Sequence, residues 1–190
     1  AIDAAGVGGF AAFLLFGVTG SGKTDVYMAA ARHTIARGGQ VLLLVPEINL
    51  TPQLTQRLKA ALPGVSIALL HSGLSSAVRR AHWIEAASGR ARLVVGTRLA
   101  VFAPLPDLGL VIVDEEQDSS YKQQDNIRYQ ARDAAVWRAR HRGVPVVLGS
   151  ATPSLESWLQ VREHRYRRLD LRQRADARAS LPAIRLVDNR

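Results

Sequence analysis

The segment Gly17-Val18-Thr19-Gly20-Ser21-Gly22-Lys23-Thr24 fits the pattern G-x-x-x-x-G-K-[ST], and it lies between an apolar run, Phe10–Phe16, and a helix-like stretch, Val26–Ala36. Strand, glycine loop and helix in direct succession leave few folds open. The glycines let the backbone bend so that several N–H groups converge, and the positive end of the following helix adds to them. A loop of this kind suits a phosphate chain. Gly17 through Thr24 would line it, with Lys23 reaching the β- and γ-phosphates and the Thr24 hydroxyl directed to Mg²⁺.

The rest of the chain repeats the alternation that this loop requires. Apolar runs at Phe10–Phe16, Val41–Val45, Ser66–Leu70, Leu93–Val95, Leu110–Val113 and Val144–Leu148 read as strands buried on both sides. Between them Val26–Ala36, Pro52–Leu62, Ser76–Ala87, Arg132–His141 and Pro153–Glu163 have the length of crossover helices. The pattern predicts an α/β domain, doubly wound, with a mostly parallel sheet and helices on both faces. Ligands of such sheets sit at the carboxyl ends of the strands. We expect the domain over residues 1–163, and a terminal strand and linker over 164–190, where periodicity fades.

Composition narrows the function. With 190 residues the chain has the length of one ordinary domain. It contains no cysteine, which excludes a disulfide framework, a Cys-ligated zinc or iron–sulfur site and a thiol nucleophile within these residues. No histidine spacing suggests a metal, so no zinc site is expected. The apolar N-terminal stretch lacks a basic leader and runs straight into the glycine loop, so it reads as a strand rather than a signal, and no run is long enough for a membrane helix. The formal net charge of +9 makes a polyanion such as nucleic acid a candidate partner. That excess is mostly C-terminal: 12 basic stand against 10 acidic residues through residue 130, and 13 against 6 beyond it.

Two further strand ends carry chemistry. Leu110–Val113 delivers Asp114-Glu115-Glu116-Gln117 to the carboxyl end of its strand. An apolar run ending in acids is by itself equally a solubilising strand end. Beside a phosphate loop it reads as the second half of a nucleotide site, with Asp114 holding Mg²⁺ through water and Glu115 orienting and deprotonating the attacking water. Lys23, Asp114 and Glu115 are then the catalytic candidates, and Thr24 and Asp114 the Mg²⁺ ligands. Val146–Gly149 ends in Ser150-Ala151-Thr152-Pro153, where Thr152 either caps the next helix, with Pro153 in its first turn, or joins Ser150 in sensing the γ-phosphate. A guanine-reading NKxD and an LSGGQ-like signature are both missing, which sets aside GTPases and ABC ATPases. Trp83, Trp137 and Trp158 fall in helical patterns and are expected to pack in the core or against another lobe.

Taken in order, GVTGSGKT, VPEINLTPQ, HSGLS, GTRLAVFAP, VDEEQDSSYKQQ, RYQARD and GSATPSLES resemble the first motor lobe of superfamily 2 helicases, specifically the replication-restart helicases of the primosome. The resemblance covers about the whole chain. It implies a RecA-like lobe of an ATP-driven 3′→5′ DNA translocase acting at stalled forks in the cytoplasm, with ATP and Mg²⁺ as cofactors. Ser150, Thr152 and Gln117 would couple hydrolysis to unwinding. Gln117 departs from the family, which usually has His there; an amide still donates and accepts hydrogen bonds but cannot carry a proton.

For single-stranded or forked DNA, the resemblance points to Pro46–Gln53 and to Gly96-Thr97-Arg98. It also points to an aromatic and basic loop with Tyr121, Lys122, Arg128 and Tyr129, residues suited to stacking bases and gripping phosphates unless the tyrosines pack the loop onto the lobe. Ala1–Ala5 would be the tail of a helix carrying an upstream adenine-reading glutamine. Further expected partners are a second motor lobe with its arginine finger, DNA-binding domains of the same protein, and other primosome or replisome proteins. The alternative is a non-enzymatic DNA- and partner-binding scaffold with a weakly active nucleotide site.

Overall fold

The apolar runs become one sheet because each has too much hydrophobic surface to face water on either side. In the computed structural model, which describes residue 2 and residues 9–125 and 127–171, the strands are β1 (Ala12–Gly17), β2 (Gln40–Leu44), β3 (Ile67–Leu70), β4 (Leu93–Gly96), β5 (Leu108–Val113), β8 (Val146–Ser150) and β9 (Tyr166–Leu171). They form a seven-stranded sheet in the order β3-β4-β2-β5-β8-β1-β9. Every neighbouring pair is parallel. A short antiparallel pair, β6 (Lys122–Gln123) and β7 (Tyr129–Gln130), stands apart as a hairpin.

The connections are helices α1 (Lys23–Ala36), α2 (Pro52–Ala61), α3 (Ser76–Ala87), α4 (Ala131–Arg142) and α5 (Leu155–Arg162). Alternate residues of each strand serve opposite faces, as the period of two demands. Phe13, Leu15, Leu43, Ile112 and Val147 pack with Tyr27, Met28 and Ala31 of α1 and Leu58 of α2. Leu14, Leu42, Val94, Val111 and Leu148 pack on the other face with Ala86 of α3, Ala131, Ala135 and Ala139 of α4, and Trp158 of α5. Each fully buried leucine or isoleucine contributes roughly 1.5–3 kcal/mol. The small alanine stripe of α4 lets that helix lie close to the sheet.

The helix starts follow local chemistry. Thr51 accepts from the Leu54 N–H ahead of Pro52, and Ser75 accepts from the Val78 N–H. Helix α5 corrects one expectation: its cap is Ser154, which accepts from the Ser157 N–H, and Pro153 precedes the helix. Thr152 is therefore not the cap. Helix α1 begins after Gly22 with no side-chain cap, which leaves its first amides available to a ligand.

The predicted strands and helices are all present with ends shifted by a few residues. The terminal strand is β9, which pairs with β1 from Ala12↔Tyr166 to Gly17↔Leu171. The linker expected beyond it, residues 172–190, lies outside the described residues, as does Ala1–Ala5 apart from Ile2, which is helical. Among the described residues no helix is long and apolar enough to cross a membrane. The tryptophans divide. Trp158 packs edge-on against Phe16 with 6.1 Å between ring centroids, whereas Trp83 and Trp137 are 39% and 67% exposed and are not core residues.

Candidate functional site

Strands β5, β8 and β1 are adjacent in the sheet. Their carboxyl ends therefore bring Asp114–Gln117, Ser150–Thr152 and the glycine loop together, although almost a hundred residues separate the loop from the acidic cluster. The loop turns through Gly20 and Gly22, with φ of 78° and 87°, a conformation that side chains rarely allow. Ser21 N–H closes the turn on the Val18 carbonyl at 3.0 Å. The Ser21 hydroxyl is buried and has no protein partner. Lys23, only 8% exposed, lies across the loop: its Nζ donates to the Gly17 carbonyl at 2.9 Å and stands 3.6 Å from Glu115 Oε1.

On the acidic side the backbone itself is unusual. Glu115 has φ of 45°, in the left-handed region where a non-glycine residue stores strain. Asp114 Oδ1 accepts the Tyr27 hydroxyl at 2.9 Å. Burial pushes the Asp114 carboxyl up from its ordinary range, opposed by the Tyr27 hydrogen bond and by Lys23. Burial first, and then the Asp114 charge, push the Tyr27 phenol well above its ordinary value, so it remains a donor. Gln117 bridges outward: its Nε2 donates to Glu115 Oε2 at 3.0 Å, and its Oε1 accepts the Ser150 hydroxyl at 2.6 Å. Ser150 Oγ in turn accepts the Thr152 N–H at 2.9 Å. A continuous polar path thus runs from Lys23 through Glu115 and Gln117 to the end of β8.

These residues fit a magnesium nucleotide. Thr24 in the first turn of α1 and the Asp114 carboxylate supply hard oxygen donors, and the unpartnered Ser21 hydroxyl, the Lys23 amine and the uncapped helix start suit phosphate oxygens. Among the described residues no cluster of three or more His, Asp or Glu could cage a metal. Mg²⁺ is compatible with that, because it is usually held by one or two protein groups together with substrate phosphates.

Sequence reasoning missed Glu116. It is fully buried and accepts from Arg132 Nη1 at 3.1 Å, the Ser154 N–H at 2.7 Å, the Ser154 hydroxyl at 3.0 Å and the Ser157 hydroxyl at 2.8 Å. The third carboxylate of the cluster is thus a buried tie between β5, α4 and α5. Nothing in the linear sequence pairs residue 116 with residue 132. Tyr27 was missed as well, because nothing in the linear sequence places it beside residue 114.

The DNA candidates separate into two groups. Tyr121 is fully buried and donates to the Asp114 carbonyl at 2.7 Å, so the structure contradicts a base-stacking role for it. Thr97 is buried. Arg98 donates from Nη1 to the Ser120 and Lys122 carbonyls at 3.2 Å each, while its buried Nε has no partner. Tyr129 is half-buried and packs edge-on against Phe102 with 5.1 Å between centroids. Lys122 and Arg128 are exposed and line a cleft of about 720 Å³ on the β6–β7 hairpin. In the Pro46–Gln53 loop Ile48 is 82% exposed.

The family model for DEAD/DEAH box helicases matches residues 5–161. The chain belongs to the DEAD/DEAH box helicase family. Within that family it is similar to the replication restart protein PriA of Bacillus subtilis, 47% identical over 178 residues that cover 94% of this chain and 22% of the relative. It is likewise similar to PriA of Haemophilus influenzae, 50% identical over 167 residues that cover 88% of this chain and 23% of that protein. The chain thus spans about a fifth of the length of these helicase relatives and corresponds to their RecA-like motor lobe. RecG bound to a three-way DNA junction shares the fold, with a TM-score of 0.62 at 22% identity over 88% of this chain and 21% of RecG. In this helicase-family lobe the phosphate loop and the acidic segment lie at the carboxyl ends of neighbouring strands of one sheet.

Proposed function

We propose that this lobe binds ATP with Mg²⁺ and hydrolyses it as the first motor lobe of a replication-restart helicase that moves 3′→5′ along single-stranded DNA at stalled forks in the cytoplasm. The observation that carries the reading is the path Lys23–Glu115–Gln117–Ser150, which joins the phosphate loop to β8. Lys23 exchanges the Gly17 carbonyl for the β- and γ-phosphates. Glu115 orients the attacking water and takes its proton. Mg²⁺, when held through Thr24 and Asp114, neutralises charge on the phosphate oxygens. Ser150 and Thr152 report the γ-phosphate, and the amide of Gln117 carries that report without moving a proton. An intact bridge at Gln117 supports a working motor over a scaffold that merely retains the nucleotide fold.

Charge on the transferring group also needs a balancing cation on its far side. An arginine from a second motor lobe supplies it in our reading, so the lobe alone turns over poorly. Lys122 and Arg128 contact DNA phosphates, while other domains of the same protein and primosome or replisome proteins complete the machine. The test is the ATPase rate of the full-length protein with and without forked DNA, for wild type and Lys23→Ala. We expect the variant to lose about 10²–10³-fold of the stimulated rate. Equal rates under all four conditions would overturn the motor reading in favour of a binding scaffold.

A further inference from the structure

Tyr27 sits one helical turn beyond Thr24 on α1, fully enclosed, and its hydroxyl ends on Asp114 Oδ1 at 2.9 Å. The ring reaches that carboxylate through a slot on one face of the sheet. The floor of the slot is Gly149, the penultimate residue of β8, where an added Cβ would overlap the Tyr27 hydroxyl oxygen and lie 2.7 Å from its Cζ. Gly149 has an ordinary strand conformation, so the missing side chain answers a need for space rather than for backbone freedom. The Gly149 carbonyl also accepts the Glu116 N–H at 3.0 Å, which fixes β8 to the acidic segment on the other side of the same peptide.

Three elements of the nucleotide site therefore meet at one phenol: the helix after the phosphate loop, the strand end bearing Asp114, and the strand bearing Ser150. We propose that Tyr27 is a positioning residue that orients the Asp114 carboxylate toward magnesium, and that Gly149 is required at its position so that Tyr27 can reach it. The proposal rests on the magnesium-nucleotide reading above. By donating to Oδ1, Tyr27 fixes the rotation of the carboxylate. A hydrogen-bond partner of this kind typically changes metal affinity by about 10–100-fold when it is removed. Because the slot belongs to β8, any shift of that strand against β5 moves the phenol and with it the carboxylate.

The test uses the full-length protein and a fluorescent adenine nucleotide, titrated first in EDTA and then with Mg²⁺. Tyr27→Phe keeps the ring and removes only the hydroxyl. We expect its nucleotide affinity in EDTA to equal that of wild type, and the Mg²⁺ concentration giving half-maximal strengthening to rise about tenfold. Excess Mg²⁺ should then restore its ATPase rate. Gly149→Ala should show the same Mg²⁺ shift in the wild-type background and no additional shift with Tyr27→Phe, because both act on one contact. If Tyr27→Phe matches wild type in Mg²⁺ dependence, the proposal is overturned while the nucleotide site stands. If wild type itself gains nothing from Mg²⁺, both readings fall together. Should Gly149→Ala not fold, Tyr27→Phe decides alone.

Discussion

Replacing Glu116 by alanine removes the acceptor on which four donors end. Arg132, 7% exposed, loses a partner at 3.1 Å, and the Ser154 N–H and the Ser154 and Ser157 hydroxyls lose theirs. Removing one member of a buried ion pair costs about 3–5 kcal/mol, because the other charge stays desolvated. Arg132 keeps Asp133 on its Nε at 2.8 Å and the Ser154 hydroxyl oxygen on its Nη1 at 2.8 Å, but the carboxylate is 63% exposed and the hydroxyl carries no charge, so the two compensate little. Water entering the space left by the side chain recovers part of the lost hydrogen bonding, so the value belongs inside the 3–5 kcal/mol range rather than above it. For a unit of this size the range corresponds to a fall in melting temperature of about 6–20 °C. Glu116→Gln, which keeps the volume and one acceptor, should fall between wild type and alanine. The assay is urea unfolding followed by tryptophan fluorescence, since Trp158 lies on α5, the helix that Glu116 ties down. A Glu116→Ala midpoint within about 1 kcal/mol of wild type would refute the assignment of this carboxylate as a buried tie.

Gln117→Ala severs the bridge between Glu115 and Ser150, and we expect the DNA-stimulated ATPase rate to fall about tenfold while nucleotide affinity, measured by fluorescence titration, stays within twofold. Lys122→Ala and Arg128→Ala should each flatten the dependence of single-stranded DNA affinity on log salt by about 0.7, whereas Tyr121→Phe should leave that slope unchanged. Arg98→Ala frees the Ser120–Lys122 segment, and faster amide exchange there with little change in the salt slope would separate an anchoring role from a phosphate contact. Asp114 is raised by burial, so its folded value exceeds its unfolded one; stability falls as pH rises through the interval between the two. Asp114→Asn should therefore stabilise the ligand-free protein at neutral pH, with the advantage vanishing below the ordinary aspartate range, as read from urea midpoints across pH.

The strands and the glycine loop were legible because their signals are local. A run such as Leu42-Leu43-Leu44 or Val111-Ile112-Val113 has no polar face, which only a sheet covered on both sides can satisfy. What stayed hidden depends on residues far apart in the chain. Tyr121 and Lys122 are neighbours in a segment that suggests a nucleic-acid loop, yet one is fully buried and the other exposed. The difference is that the Tyr121 hydroxyl finds the Asp114 carbonyl, and the Arg98 guanidinium closes over the adjoining carbonyls. Trp83 and Trp137 read as core or lobe-packing residues from helical spacing, and of the two alternatives the core is excluded because the sheet faces are already filled by alanine and leucine, which leaves both indoles at the surface.

The acidic segment shows why composition alone could not divide its labour. Asp114, Glu115, Glu116 and Gln117 are consecutive, and three carry the same charge, yet each meets a different partner: Tyr27, Lys23, Arg132 and Ser150. The left-handed turn at Glu115 makes this possible. A continuing strand would send Asp114 and Glu116 to one face and Glu115 to the other, with no chain reversal to return Gln117 to the phosphate loop. The positive φ instead swings Glu115 toward Lys23 and lets Glu116 drop beneath the start of α5. The strain is sustained because the flanking amides are held, Asp114 by the Leu44 carbonyl at 2.9 Å and Glu116 by the Gly149 carbonyl at 3.0 Å. In the reading proposed above, a nucleotide that draws Lys23 away from Glu115 acts on a backbone already pinned on both sides, so we expect the displacement to pass through Gln117 to Ser150.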